Sequence, residues 1–155
     1  MTYTPLIWPP KKLVFASDHA GYPLKKPLID WAMSNGYDVE DLGADESQSV
    51  DYPDFASLLA NHLATDSQSG GVLVCGTGIG ISIAANRYSH IRAALCHDVT
   101  TSRLCREHND ANVLALGARM IGTQTAIDCL EAFLGASFGG GRHEGRVAKL
   151  GESGE

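Results

Sequence analysis

Cys75 closes a short apolar run, Gly71-Val72-Leu73-Val74-Cys75, and glycines follow it at positions 76, 78 and 80, with Thr77 and Ile79 between them. An Ala/Ile-rich segment, Ile81 to Asn86, comes next. A buried strand, a backbone-exposing loop and a helix N-terminus would give this order. Alternating glycines let N–H groups converge on a small anion or oxyanion, and the positive end of a helix dipole strengthens that preference. A thiol in such a setting is biased toward thiolate, which serves as nucleophile or general base. The plainer alternatives are a tight turn and a cysteine acting as a small buried hydrophobe.

The same glycines do not fit a dinucleotide site. That fingerprint is G-x-G-x-x-G, and here the third glycine arrives one residue early; Asp98 sits where a ribose-binding acid would be expected. No Gly-Lys-Ser/Thr follows, so the Walker pattern fails too. Asp18-His19 could take part in proton transfer, or Asp18 could cap a helix. Cys105-x-x-His108 has helical spacing, but no second ligand pair accompanies it, so no metal is expected. His108-Asn109-Asp110-Ala111-Asn112 is a dense polar patch that a connector does not require. Arg142 and Arg146 lie one helical turn apart and could hold a phosphate, or form a solvated surface pair; Arg119 is a further candidate.

These residues need a scaffold, and the periodicity supplies one. Strands are expected over 12–17, 37–42, 71–75, 91–96 and 112–116, and helices over 22–35, 52–65, about 98–107 and 123–134. Five buried-type strands alternating with helices predict an α/β fold: a three-layer, doubly wound, Rossmann-like domain on a five-stranded parallel sheet. Ligands bind such sheets beyond the carboxyl ends of the strands. Asp18-His19, Cys75-Gly76-Thr77 and His97-Asp98 all follow strand ends. Residues 1–11, with three prolines, read as an N-terminal arm that either packs on a neighbouring subunit through Trp8 or stays without fixed structure; 12–150 read as one domain including a C-terminal tail helix, and 151–155 as a flexible end.

At 155 residues the chain suits one domain with a real core. A net charge of −6 argues against a general nucleic-acid surface, so an anion site must be built locally. No apolar stretch approaches the roughly 20 residues that span a bilayer, and the N-terminus does not read as a signal peptide. Four cysteines in this length suit free thiols in a reducing cytoplasm.

Across about residues 12–150 the chain resembles the ribose-5-phosphate isomerase B family, within the group that includes the galactose-6-phosphate isomerase subunits. The resemblance rests on Ser17-Asp18-His19-Ala20-Gly21, Asp51-Tyr52-Pro53, the run from Cys75 to Asn86, Ile91-Arg92-Ala93, His108 to Val113, Gly117-Ala118-Arg119 and Gly141-Arg142-His143 with Arg146. It implies interconversion of ribose 5-phosphate and ribulose 5-phosphate, without metal or cofactor, in the pentose phosphate pathway. Cys75 would carry the proton between C1 and C2. In some relatives a glutamate one turn further on is the base; Ser82 and Ile83 are not acidic here, which favours the cysteine form. Thr77, Asp18 and His108 would assist ring opening. Gly76, Gly78 and Gly80 would hold the enediolate oxygens, and Tyr52 and Asn109 would contact the sugar. His19, Arg119, Arg142 and Arg146 would hold the phosphate. A homodimer with a shared site is implied, with pairing into a tetramer left open. An isomerase of another four- to six-carbon aldose phosphate, or a non-catalytic anion-binding module, are the rival expectations.

Overall fold

In the computed structural model, which describes residues 2–152 and 154, the apolar runs become five strands: β1 (Lys12–Ser17), β2 (Asp38–Asp41), β3 (Gly70–Cys75), β4 (Ala93–Leu95) and β5 (Val113–Gly117). The amphipathic stretches become α1 (Tyr22–Ser34), α2 (Tyr52–Thr65), α3 (Ile79–Ala85), α4 (Val99–Asn109), α5 (Thr123–Gly135) and α6 (Arg142–Leu150). The sheet is parallel throughout, in the order β2-β1-β3-β5-β4.

Because strand side chains alternate between faces, each central strand feeds two cores. Leu13, Phe15, Val72, Val74, Leu114 and Leu116 pack under α1 and α5, with Cys105 of α4 joining them. Val14, Ala16, Leu73, Cys75, Val113 and Ala115 pack under α2 and α3. The result is the expected three-layer α/β arrangement. Buried on both faces, β1, β3 and β5 carry few polar residues, as parallel strands require.

The edges are shorter than the sequence suggests. β4 spans Ala93–Leu95 rather than 91–96. Arg92 pairs differently: its N–H donates to Asn112 Oδ1 at 2.7 Å, and its carbonyl accepts from Asn112 N–H. β5 starts at Val113 and runs on to Gly117, because Gly117 pairs with Cys75. Trp8 packs within its own chain, donating its indole N–H to the Phe133 carbonyl at 3.0 Å. Of the expected flexible end, Ser153 and Glu155 lie outside the described residues.

Candidate active site

The chain leaves β1 toward β2 on one side and returns to β3 on the other. The carboxyl ends of β1 and β3 therefore flank a switch point, where open parallel sheets bind ligands. Asp18 and Cys75 stand at those two ends.

Cys75 is the last residue of β3 and only 4% exposed. Its Sγ accepts the Gly78 N–H at 3.2 Å. Gly78 adopts a left-handed conformation, φ 78°, and a Cβ there would lie 2.5 Å from Leu95 Cδ1. The Ile79 N–H is taken by Thr77 Oγ1 at 3.2 Å. Among the described residues, nothing in the chain accepts from the N–H groups of Gly76, Thr77 or Gly80. Gly78, expected with Gly76 and Gly80 to hold an enediolate oxygen, thus turns its N–H onto the sulfur instead, Thr77 takes that of Ile79, and those of Gly76, Thr77 and Gly80 have no partner among the described residues.

Around this loop the chain gathers most of the expected residues. Tyr52 opens α2, and its ring lies against Gly80, where a Cβ would come within 2.4 Å of the ring. Arg119 follows β5; its N–H donates to the Gly76 carbonyl at 2.9 Å, and its guanidinium passes over Gly76. Asp18 is buried, and its Oδ1 accepts the Gly21 N–H at 2.9 Å, tying the turn that precedes α1. His19 Nδ1 accepts the Val50 N–H at 3.1 Å, which places its ring proton on Nε2 and pins the loop that leads into Tyr52. Asp98 is accounted for as a helix cap: its Oδ1 accepts the Thr101 N–H at 2.7 Å at the start of α4.

His108, Asn109, Arg142 and Arg146 are elsewhere. α4 follows β4 and returns antiparallel to the strands, so it ends at the opposite edge of the sheet. Asn112, three residues past Asn109, accepts the Gly71 N–H at the start of β3. From Gly71 to Cys75 is four strand steps, about 13 Å. The tail is fastened to this second edge by Gly139 N–H donating to the Glu107 carbonyl at 2.8 Å. There His108 and His143 stack, with centroids 4.7 Å apart and rings 17° from parallel. Desolvation, then the charges of His108, Arg142 and Arg146, hold the His143 imidazole below its ordinary pKa. Among the described residues, Arg119, Arg142 and Arg146 form no ion pair. An open groove of about 710 Å³ includes His108 and His143 but not Cys75. One chain therefore carries two half-sets on opposite edges of its sheet.

The sequence profile of the Ribose/Galactose Isomerase family matches residues 13–150. The chain belongs to this family. Escherichia coli ribose-5-phosphate isomerase B is 44% identical over 140 residues, which is 90% of this chain and 94% of that protein. Among solved structures, Clostridium thermocellum ribose-5-phosphate isomerase B superposes with a TM-score of 0.88 at 47% identity, covering 90% of this chain and 95% of that one. The Mycoplasma genitalium ribose-5-phosphate isomerase B structure, solved with bound ribulose 5-phosphate, superposes with a TM-score of 0.85 at 39% identity, covering 90% and 93% of the two chains.

Sequence reasoning overlooked two supports of this isomerase-family site. Lys25, buried within α1, donates to Asp41 Oδ1 at 2.8 Å and to the Ala44 carbonyl at 2.7 Å, and so anchors the start of the loop that His19 holds at Val50. Its signal was a lysine on the apolar side of a helix, beside Leu24 and Leu28. The second support is the arm, whose Tyr3 reaches Asp110 directly beside Asn109.

Proposed function

We propose that this chain is an aldose–ketose isomerase that interconverts D-ribose 5-phosphate and D-ribulose 5-phosphate through an enediolate, within residues 12–150. The observation that carries the reading is the Cys75 sulfur fixed by Gly78 N–H beside three open donors, in a chain 44% identical to the Escherichia coli isomerase.

The chemistry follows from the loop. The Cys75 thiolate takes the proton from C2 of the open-chain aldose. The C–H electron pair becomes the C1–C2 double bond, and the carbonyl pair moves onto O1. The N–H groups of Gly76, Thr77 and Gly80 face that developing charge; a preorganised donor of this kind is worth about 3–4 kcal/mol. The thiol then returns the proton to C1, and the proton on O2 passes to O1. Positioned acid–base chemistry contributes about 10²–10⁴-fold.

The opposite placement of the two half-sets supports a homodimer in which His108, Asn109, Arg142 and Arg146 of the partner subunit complete the site at Cys75. Ile79 and Ile83 on α3, one turn apart beside the loop, are 50% and 61% exposed, which suits an apolar face covered by another subunit. Thr77 and Asp18, with His108 of the partner subunit, pass the proton from the O1 hydroxyl to the ring oxygen when the furanose opens. Tyr52, with Asn109 of the partner subunit, contacts the sugar. His19 and Arg119, with Arg142 and Arg146 of the partner subunit, hold the phosphate, whose binding energy orients the sugar.

No described helix is long and apolar enough to cross a membrane. Four free cysteines suit a reducing cytoplasm.

Turnover across four- to six-carbon aldose phosphates tests the substrate assignment. Ribose 5-phosphate should give the highest kcat/KM, and Cys75→Ala should remove nearly all of it while the protein stays folded. A better six-carbon substrate would move the assignment to another aldose phosphate, and wild-type kcat in Cys75→Ala would remove the cysteine from its role.

A further inference from the structure

Residues 2–10 precede the stretch that the family profile matches, yet they touch Asp110 and Arg106, which flank His108 and Asn109. We propose that this arm positions the His108–Asn109 turn, with Tyr3 as the positioning residue acting through Asp110. The inference rests on the proposed role of His108 in ring opening.

Arg106 and Asp110 bracket His108 and Asn109, and both are fully buried. Arg106 Nη1 lies 2.8 Å from Asp110 Oδ1 as an ion pair, but its hydrogen-bond geometry favours the Ala111 carbonyl, to which it donates at 2.6 Å. Arg106 Nε and Nη2 have no hydrogen-bond partner among the described residues. A buried ion pair holds its geometry only when its remaining donors and acceptors are satisfied. Asp110 Oδ1 also lacks a hydrogen-bond partner among the described residues, so the pair is held through Asp110 Oδ2, which Arg92 Nη2 approaches only to 3.9 Å and which the arm hydrogen-bonds directly. Asp110 Oδ2 accepts from the Tyr3 hydroxyl at 2.5 Å and from the Leu6 N–H at 3.0 Å. The Trp8 ring covers the guanidinium, with Arg106 Cζ 3.8 Å from its centroid.

Asp110 also shapes the end of α4. It holds a left-handed backbone, φ 46°, as the residue that ends α4. Aspartate enters that region more readily than most side chains, and here its carboxylate contacts fix it there. The Asp110 carbonyl also accepts from Arg92 Nε at 3.0 Å, so the pair, the turn and the start of the sheet form one unit. Releasing the arm would hydrate Asp110, loosen the end of α4 and let His108 and Asn109 drift. Burial, then the Asp110 bond, pushes the Tyr3 phenol above its ordinary pKa, so it remains a donor through the neutral range.

Tyr3→Phe in the full-length protein tests this, because it removes the hydroxyl while keeping the ring. We expect kcat for ribose 5-phosphate to fall about tenfold with KM changed by less than about twofold, the pattern of a misplaced catalytic group. Amide exchange at His108–Asn112 should accelerate about tenfold while Val72–Cys75 stay protected. In a His108→Ala background, Tyr3→Phe should add no further loss of kcat, whereas a merely stabilising contact would multiply with it. Trp8→Phe should keep most activity, and Trp8→Ala should reproduce the Tyr3→Phe pattern. Unchanged kcat and unchanged exchange, or losses that multiply, would overturn the proposal. Wild-type kcat in His108→Ala would remove the ring-opening role instead; exchange at 108–112 would then decide the clamp alone, faster exchange supporting it and unchanged exchange overturning it.

Discussion

The Gly78 N–H donates to Cys75 Sγ across 3.2 Å from a left-handed turn, φ 78°. The loop proposed to present donors to a substrate oxygen therefore also fixes the proposed base. Gly78→Ala should break both. Left-handed strain costs roughly 1–2 kcal/mol for a non-glycine residue. A Cβ lying 2.5 Å from Leu95 Cδ1 and 2.9 Å from the Leu116 carbonyl carbon adds overpacking. The total should be about 2–4 kcal/mol in denaturant unfolding, with kcat down by at least about 10²-fold. An unchanged midpoint and kcat would contradict the role of this turn.

Gly80→Ala should behave differently. Its Cβ meets the Tyr52 ring rather than backbone, and Tyr52 is 39% exposed and free to swing away. Stability should change by less than about 1 kcal/mol. KM for ribose 5-phosphate should rise roughly 3–10-fold with kcat nearly kept, the signature of a lost uniform contact. An unchanged KM would separate Tyr52 from the sugar.

His143 gives a pH signature. Its neutral form is favoured in the fold, by desolvation and then by His108, Arg142 and Arg146. As pH falls below the ordinary histidine value, about 6.5, the unfolded chain binds this proton before the native one does. The contribution to stability is thus full above that value and declines until the pH passes the folded value. Imidazole NMR should show His143 titrating below 6.5 and moving back up in His108→Ala. A midpoint that ignores His108→Ala would contradict the coupling of the stacked rings.

Much of this was legible in the chain. The runs at 12–17 and 71–75 read as buried strands, and the glycines at 76, 78 and 80 as a backbone-exposing loop or a tight turn. The insertion of β5 between β3 and β4 was not legible, because strand pairing is set by long-range contacts rather than local pattern. β4 shortened because Arg92 and Ile91 meet Asn112 and the turn before it, contacts invisible in periodicity. The motifs named His108, Asn109, Arg142 and Arg146, but not their distance from Cys75; that follows only once α4 is seen to return to the amino edge of the sheet. The arm read as extended from its prolines, and nothing local disclosed that Trp8 would cover Arg106.

The most direct test of the shared site mixes two variants, each strongly impaired in a different half of the proposed site. Cys75→Ala lacks the base but keeps His108, and His108→Ala keeps the base. In a symmetric dimer, random pairing makes half of the molecules heterodimers, each with one intact site, so co-refolding should restore roughly a quarter of wild-type kcat per subunit. Recovery near that level, with ribose 5-phosphate as substrate, is the predicted result. No recovery in verified heterodimers, or a fully active wild-type monomer in sedimentation, would contradict a site built from the two edges of neighbouring chains.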